Sequence, residues 1–125
     1  MKILPIVALA AFLMIPAVSL AKPAKCAVSD LSLGAESDPV PCDFKVYPGG
    51  TFSIYPVVKS EEDSPTFFGA SVLHVDMVAP GKAIVSGTAY DSDLGRDNEV
   101  TWGLVLRSKA QPACWAGKKI KVCVY

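Results

Sequence analysis

The chain has 125 residues, with 12 basic and 12 acidic side chains and therefore a formal net charge of zero. This balance gives no electrostatic reason to expect binding to nucleic acid or to an anionic membrane. The length suits one domain. Apolar residues make up 51% of the chain, a fraction raised by the apolar stretch at its start.

The first 21 residues have the three parts of a secretory signal peptide. Lys2 is followed by an apolar run from Ile3 to Val18 and then by Ser19-Leu20-Ala21, with small residues three and one before a junction. An uncleaved anchor is the alternative, but two prolines interrupt the run, and a span takes about 20 apolar residues. We predict cleavage after Ala21 and export to the periplasm or the exterior. The mature domain, 22–125, loses one basic side chain and carries a formal charge of −1.

All four cysteines, Cys26, Cys42, Cys114 and Cys123, follow the predicted signal. An even count in a short exported chain indicates two disulfides, with three possible pairings. Cys26–Cys42 and Cys114–Cys123 are favoured because each pair is local and brackets a turn-rich stretch. Zinc is the alternative ligand, but no pair has Cys-x-x-Cys spacing and an oxidising compartment disfavours thiolate ligation.

Period-two alternation of apolar residues dominates the mature chain after Cys42, and no helical stripe occurs. The pattern predicts about six short antiparallel strands in a small barrel or sandwich, with irregular chain over 22–41. These strands cover roughly 43–47, 51–55, 70–78, 83–90, 100–107 and 119–125. In the clearest of them, the predicted inward residues are Val100, Trp102, Leu104 and Leu106.

Several short segments, in this order, resemble a group of small exported bacterial proteins with no assigned activity. They are Cys26 and Cys42, then Gly49-Gly50-Thr51-Phe52-Ser53-Ile54, Gly103-Leu104-Val105-Leu106-Arg107, Ala113-Cys114-Trp115 and finally Cys123. In the group the last segment reads Ile-Cys-Ala-Trp, whereas this chain has Val122-Cys123-Val124-Tyr125. The resemblance implies export and disulfides, and it implies no catalytic residue.

His74 is the single histidine, two residues before Asp76 and so on the same face of a predicted strand. A catalytic base needs an orienting acid and a nearby nucleophile. Same-face neighbours on one strand lie about 7 Å apart, too far for a direct hydrogen bond, and no Gly-x-Ser-x-Gly segment occurs. We therefore interpret His74 as a polar, solvent-facing position and predict no catalytic residue.

A second candidate is the acidic loop that carries Asp91, Asp93, Asp97 and Glu99. Calcium binds six to eight oxygens on a bending loop. The spacing does not match an EF-hand, however, and Arg96 places a positive charge among the carboxylates. A solvated hairpin loop is the favoured interpretation, so neither a metal nor a cofactor is predicted. The run Glu61-Glu62-Asp63 is likewise interpreted as a solvated loop.

The segment around Trp115 is the favoured contact surface. This tryptophan lies within a predicted disulfide loop close to Lys118, Lys119 and Lys121, and an aromatic anchor with basic neighbours suits recognition of a partner. The alternative is that Trp115 packs over its own disulfide and helps to close one end of the core. The two interpretations differ in what Trp115→Ala does: the first predicts lost partner capture at nearly unchanged stability, the second a large loss of stability.

Three functions remain open. The first is a non-enzymatic binding module of the cell envelope, such as an inhibitor, an immunity-like protein or a ligand-recognition protein. Its partner would be another protein or an envelope glycan, with no nucleic acid and no membrane span after signal removal. The second is a structural envelope protein without a discrete ligand. The third, a small hydrolase, needs a pocket that holds His74 or paired acids.

Overall fold

The computed structural model describes residues 21–34, 36–60 and 65–125. The predicted signal peptide, except for Ala21, lies outside these ranges, as does the acidic run 61–63. Cleavage and export therefore stay predictions. Among the described residues, no helix is long and apolar enough to cross a membrane.

The described chain forms eight antiparallel strands and one 3₁₀ turn at Leu31–Leu33. The strands are β1 (Lys22–Asp30), β2 (Val40–Val46), β3 (Phe52–Pro56), β4 (Ala70–Ala79), β5 (Lys82–Asp91), β6 (Arg96–Arg107), β7 (Cys114–Gly117) and β8 (Ile120–Val124). Each strand pairs with the next, and β8 pairs with β1, so the sheet closes into an up-and-down barrel. The all-β, antiparallel prediction is confirmed.

The prediction of about six strands is wrong, because alternation missed β1 and β7. In β1 both faces are covered: Cys26 and Val28 point into the core, while Ala27 packs with the second disulfide. Ser29 is also buried and accepts a hydrogen bond from the backbone N–H of Ser37. Over residues 26–29 the strand is buried on both faces and has no polar side, so it shows no period-two pattern there. The four residues of β7 are too few to show one.

Fully buried aliphatic side chains from five of the strands fill the barrel. They are Ile54, Leu73, Val75, Val85, Val105, Ile120 and Val122. Each stabilises the fold by about 1.5–3 kcal/mol relative to an exposed position. The interior of an eight-stranded barrel is just wide enough to be filled by side chains or to hold one small ligand. Because side chains take that space here, a ligand has to bind at an end of the barrel or on its outside.

A β-bulge in β6 explains why part of the predicted inward face lies outside. Val85 pairs with Gly103 and Ser86 with Thr101, so Trp102 is an extra residue on its strand. Gly103 has a φ of 93°, a conformation that favours glycine. The extra residue reverses the alternation beyond the bulge.

As a result, Val105, predicted to face outward, is fully buried. Leu104 and Leu106, predicted to face inward, are 54% and 50% exposed. Trp102 itself keeps its predicted direction and packs against the core. Its indole lies against the backbone of Gly87, where an added Cβ would be 3.0 Å from the ring. Because Gly87 has no side chain, the Trp102 indole can occupy this space.

Two disulfides join the pairs that the sequence favours. Cys26–Cys42 links β1 to β2, and Cys114–Cys123 links β7 to β8. Among the described residues no cysteine is free. Cys26, Cys42 and Cys114 are buried almost completely, and Cys123 is 3% exposed. Both bridges connect strands that also pair through their backbones, so each reinforces an existing strand pair.

The tight turn before β4 holds an aromatic residue in a strained conformation. Phe67 and Ala70 exchange backbone hydrogen bonds of 2.8 and 3.0 Å, which leaves Phe68 and Gly69 at the tip. Both have positive φ, 49° and 86°, as a type I′ turn requires. Asn-Gly is the favoured sequence there, whereas a bulky residue with positive φ is an outlier. The Phe68 ring is nevertheless 43% exposed, so burial compensates for the strain only in part.

We expect Phe68→Asn to raise the free energy of unfolding by about 0.5–1 kcal/mol, because asparagine tolerates the left-handed region that phenylalanine strains to adopt. Equilibrium unfolding in urea measures the change. Phe67→Asn is the matched control, and it should destabilise the fold because Phe67 is buried. A less stable Phe68→Asn variant would show that the contacts of the ring outweigh the strain.

Candidate binding site

A cavity of about 430 Å³ opens at the barrel end where β1 begins and β6 ends. Its lining combines aromatic rings with cationic side chains, and we call it the basic mouth. The residues that define it are Lys22, Phe44, Phe52, Arg107, Trp115 and Tyr125. Ligand sites of small molecules occupy about 300–1,000 Å³ and combine apolar walls with few polar groups. The size and the lining of the basic mouth fit that description.

Trp115 forms the floor of the basic mouth. It is 6% exposed and belongs to the core. Its ring packs at a tilt against Phe52, with 6.5 Å between the centroids, and Phe52 in turn packs against Phe44 at 5.2 Å. Tilted aromatic pairs at these distances attract each other beyond the area that they bury. The three rings form a rigid apolar surface under the opening.

Arg107 lies above this floor as the last residue of β6. Its guanidinium is 5.7 Å from the centroid of Trp115, within the range of a cation–π contact. The Nε–H donates a 2.8 Å hydrogen bond to the backbone carbonyl of Pro112. These two contacts fix the plane of the guanidinium, and its two terminal NH₂ groups can bind a carboxylate or phosphate in bidentate fashion.

The turns and strand ends around the basic mouth carry basic side chains, and Asp43, which pairs with Pro23 of β1, is an acidic side chain at the same level. The four basic residues at this end are Lys22, Lys82, Arg107 and Lys109. The described segments 21–24, 47–51, 79–82 and 107–113 contain no Asp or Glu. The near-zero charge of the whole chain hides this local excess. A positive, partly apolar concavity attracts an anion and raises its local concentration.

A second cavity of about 460 Å³ adjoins the first and shares Gly50, Arg107 and Trp115 with it. The turns between β2 and β3 and between β4 and β5 form its walls, and Met77 lies between them. Arg107 and Trp115 therefore separate two neighbouring openings. A ligand that is longer than one cavity can extend from the first into the second.

The structure does not bring Trp115 together with the lysines that the sequence grouped with it. Trp115 points into the barrel, whereas Lys118 and Lys119 lie in the turn between β7 and β8, at the opposite end. Lys121 is on the outer face and forms a 3.2 Å ion pair with Glu36. Arg107, which the sequence reasoning missed, is the cation that contacts Trp115. Only the register between β6 and β7, in which Arg107 pairs with Trp115, reveals it.

His74 has a partner that the sequence did not indicate. Cross-strand pairing of β3 with β4 places Ser53 beside it, with 2.7 Å between the serine Oγ and the histidine Nδ1. This resembles a nucleophile–base pair, but Ser53 has no exposed surface. An attacking hydroxyl has to reach its substrate. The pair therefore acts as a partly buried structural hydrogen bond.

Two tyrosines surround Ser53 on the outside of the barrel. Hydrogen bonds from Tyr55 and Ser53 lower the pKa of Tyr47, and the nearby charge of Lys45 acts in the same direction. The ammonium of Lys45 lies 5.3 Å from the centroid of the Tyr47 ring. Burial raises the pKa of Tyr55, and its interactions with Tyr47 add to that effect.

The acidic loop uses its first carboxylate to form its own turn. Oδ1 of Asp91 accepts the backbone N–H groups of Asp93 at 2.9 Å and Leu94 at 3.2 Å. This Asx-type geometry is a common reason for aspartate in tight turns. Within the described ranges, no group of three or more His, Cys, Asp or Glu side chains is arranged to hold a metal ion. Asp97 and Glu99 follow in β6.

A larger groove of about 560 Å³ lies at the opposite end of the barrel. Its walls are mainly apolar and include Val40, Pro41, Pro56, Phe67 and Phe68. Asp38 and Lys59 bring opposite charges to it, so it offers no consistent electrostatic preference. For this reason the basic mouth is the better-defined candidate. Comparison with protein-family models, curated proteins and solved structures finds no match for this chain.

Proposed function

We propose that the protein is an exported, non-enzymatic binding module that takes an anionic group on an apolar body into the basic mouth. The observation that carries this proposal is the position of the Arg107 guanidinium, fixed over Trp115 beside turns that contain no Asp or Glu. The anion would bind the terminal NH₂ groups of Arg107. The apolar body would pack against the rings of Phe44 and Phe52.

Two further observations support binding rather than catalysis. The hydroxyl beside His74 is buried, and the lining of the basic mouth supplies no carboxylate, imidazole or thiol side chain for proton transfer. The aromatic floor belongs to the core, so it is rigid before the ligand arrives. Such preorganisation limits the entropy lost on binding. Export is supported by the signal-like first residues and by the two disulfides.

Three matched probes test the proposal: 2-naphthoate, 2-naphthylmethanol and 2-naphthylmethylammonium, titrated into the ¹⁵N-labelled protein and followed by NMR. We expect 2-naphthoate to bind with a Kd of about 0.1–1 mM, from about 0.3–0.4 kcal/mol per non-hydrogen atom. Its shifts should centre on the indole N–H of Trp115 and the Nε–H of Arg107. The neutral and cationic probes should bind at least about tenfold more weakly, because they lack the charge-assisted hydrogen bonds.

Arg107→Gln should weaken 2-naphthoate binding about tenfold or more, since it removes the bidentate donor. Arg96→Gln is the matched control: Arg96 is exposed in the acidic turn at the other end of the barrel, and its loss should leave the Kd unchanged. Equal binding of the three probes, or an unchanged Kd in Arg107→Gln, would contradict the proposal. No binding of any probe would favour the structural envelope role.

A further inference from the structure

The β-bulge in β6 creates an apolar patch on the outside of the barrel. Leu104 and Leu106 are half exposed, and Ile84, directly opposite Leu104 on β5, is 38% exposed. Single exposed aliphatic residues are normal on any protein and need no explanation. These three are neighbours on one face, however, because β5 and β6 pair there. Together they form a continuous apolar strip at solvent.

Lysines flank this strip on both sides. Lys82 pairs with Leu106 across β5 and β6. On the other side, Ala116 pairs with both Leu106 and Lys121, and Lys118 follows Gly117, the partner of Val105. We call this surface the leucine–lysine face, defined by Lys82, Ile84, Leu104, Leu106, Lys118 and Lys121.

Acidic groups at its border are few. Asp76 pairs with Ile84 on β4, and Glu36 is bound to Lys121. Glu99 lies on the same strand as the leucines but on the far side of the bulge. Lys82, Lys118 and Lys121 against Asp76 and Glu36 leave one positive charge in excess next to the exposed aliphatic side chains.

The charge decides between possible occupants of the face. A second copy docked through the same surface would bring lysines against lysines, which is unfavourable. A neutral apolar partner would cover the leucines and leave the lysines without counter-charges. An anionic membrane surface suits both the aliphatic side chains and the lysines. The aliphatic side chains enter the headgroup region. The lysines keep their ammonium groups among the phosphates, while their methylene chains cover apolar surface.

We propose that the leucine–lysine face binds peripherally to membranes that contain anionic lipid. The inference is independent of the basic mouth, because Leu104, Leu106 and Ile84 are absent from its lining. Binding requires the apolar strip and the lysines together, since a few short aliphatic side chains or a few charges alone give only weak attachment. The mouth and the face adjoin at Lys82 and Arg107, so a membrane-bound protein would hold its ligand site close to the lipid surface.

Sedimentation with large vesicles tests the proposal on the mature, disulfide-bonded protein. One set of vesicles contains equal amounts of phosphatidylglycerol and phosphatidylcholine, and the other contains phosphatidylcholine alone. We expect at least about tenfold stronger binding to the anionic set. That binding should weaken at least about tenfold when sodium chloride rises from about 50 mM to about 500 mM, because salt shortens the Debye length.

The double variant Leu104→Ser/Leu106→Ser should lose at least about tenfold of the binding to anionic vesicles, through the loss of two inserted side chains. Leu94→Ser is the matched control, because Leu94 is also 54% exposed but lies in the acidic turn between β5 and β6. It should bind as the unaltered protein does. All the substituted side chains are at solvent, and equal melting temperatures verify that the variants are folded.

Lys82→Gln/Lys118→Gln tests the electrostatic part and should also reduce the binding about tenfold. Equal binding to the two vesicle sets, or full binding by the leucine double variant, would overturn the proposal. So would the absence of vesicle binding at low salt. Arg107→Gln separates this inference from the proposed function: it should weaken 2-naphthoate binding about tenfold or more and leave Leu104 and Leu106 able to hold the protein on vesicles.

Discussion

Trp115→Ala is expected to lower the free energy of unfolding by about 3–5 kcal/mol, the range for truncating a large aromatic side chain in a core. Trp115 is 6% exposed and packs against Phe52 and under Arg107. Its loss would leave a cavity at one barrel end that side chains on rigid strands cannot fill. Urea unfolding followed by far-UV circular dichroism measures the change.

Trp115→Phe is the control, because it keeps a ring against Phe52 and should lose no more than about half as much stability. If Trp115→Ala instead left the midpoint of unfolding nearly unchanged, Trp115 would be a surface anchor and the packing described for it would be contradicted. Ligand binding is therefore better tested with Arg107→Gln. Arg107 is exposed, so its substitution does not open the core.

Removal of the first disulfide in the double variant Cys26→Ala/Cys42→Ala should lower the free energy of unfolding by about 2–5 kcal/mol, the usual range for a small exported domain. The bridge closes a loop with a sequence separation of 16, and both cysteines are buried. Its loss frees the chain in the unfolded state and removes apolar contacts in the folded one. Differential scanning calorimetry in the absence of reductant measures the effect.

The matched variant is Cys114→Ala/Cys123→Ala, whose bridge spans only nine positions. Because chain entropy depends on loop length only logarithmically, its loss should be smaller by a few tenths of a kcal/mol from that term. A reductant should lower the free energy of unfolding of the unaltered protein by about the sum of the losses in the two double variants. If the first double variant matched the unaltered protein in thermal stability, the bridge would contribute nothing beyond the strand pairing.

Local patterns predicted the parts of this fold that depend on adjacent residues. The all-β class and both disulfides are confirmed. Each follows from alternation or the closeness of two cysteines in sequence.

Features that depend on distant residues could not be predicted. The β6 alternation looked regular, but one extra residue, stabilised by the positive φ of Gly103, reversed the direction of Leu104 and Leu106. Burial of residues 26–29 on both faces removed the alternation that would have marked β1. The neighbours of Trp115 and His74 are set by strand register, which brings Arg107 and Ser53 beside them. A single sequence contains no direct signal for such register.

The pairing of β1 with β8 has a consequence for the timing of folding. Cys26 lies opposite Val124, and backbone hydrogen bonds also join Lys25 to Tyr125. The ladder that closes the barrel thus joins strands from opposite ends of the described chain, and such pairings slow folding because the intervening loop must first be ordered. The barrel cannot close before β8 is available. Until then β1 keeps one edge without a strand partner, and this open edge is available for pairing with another chain.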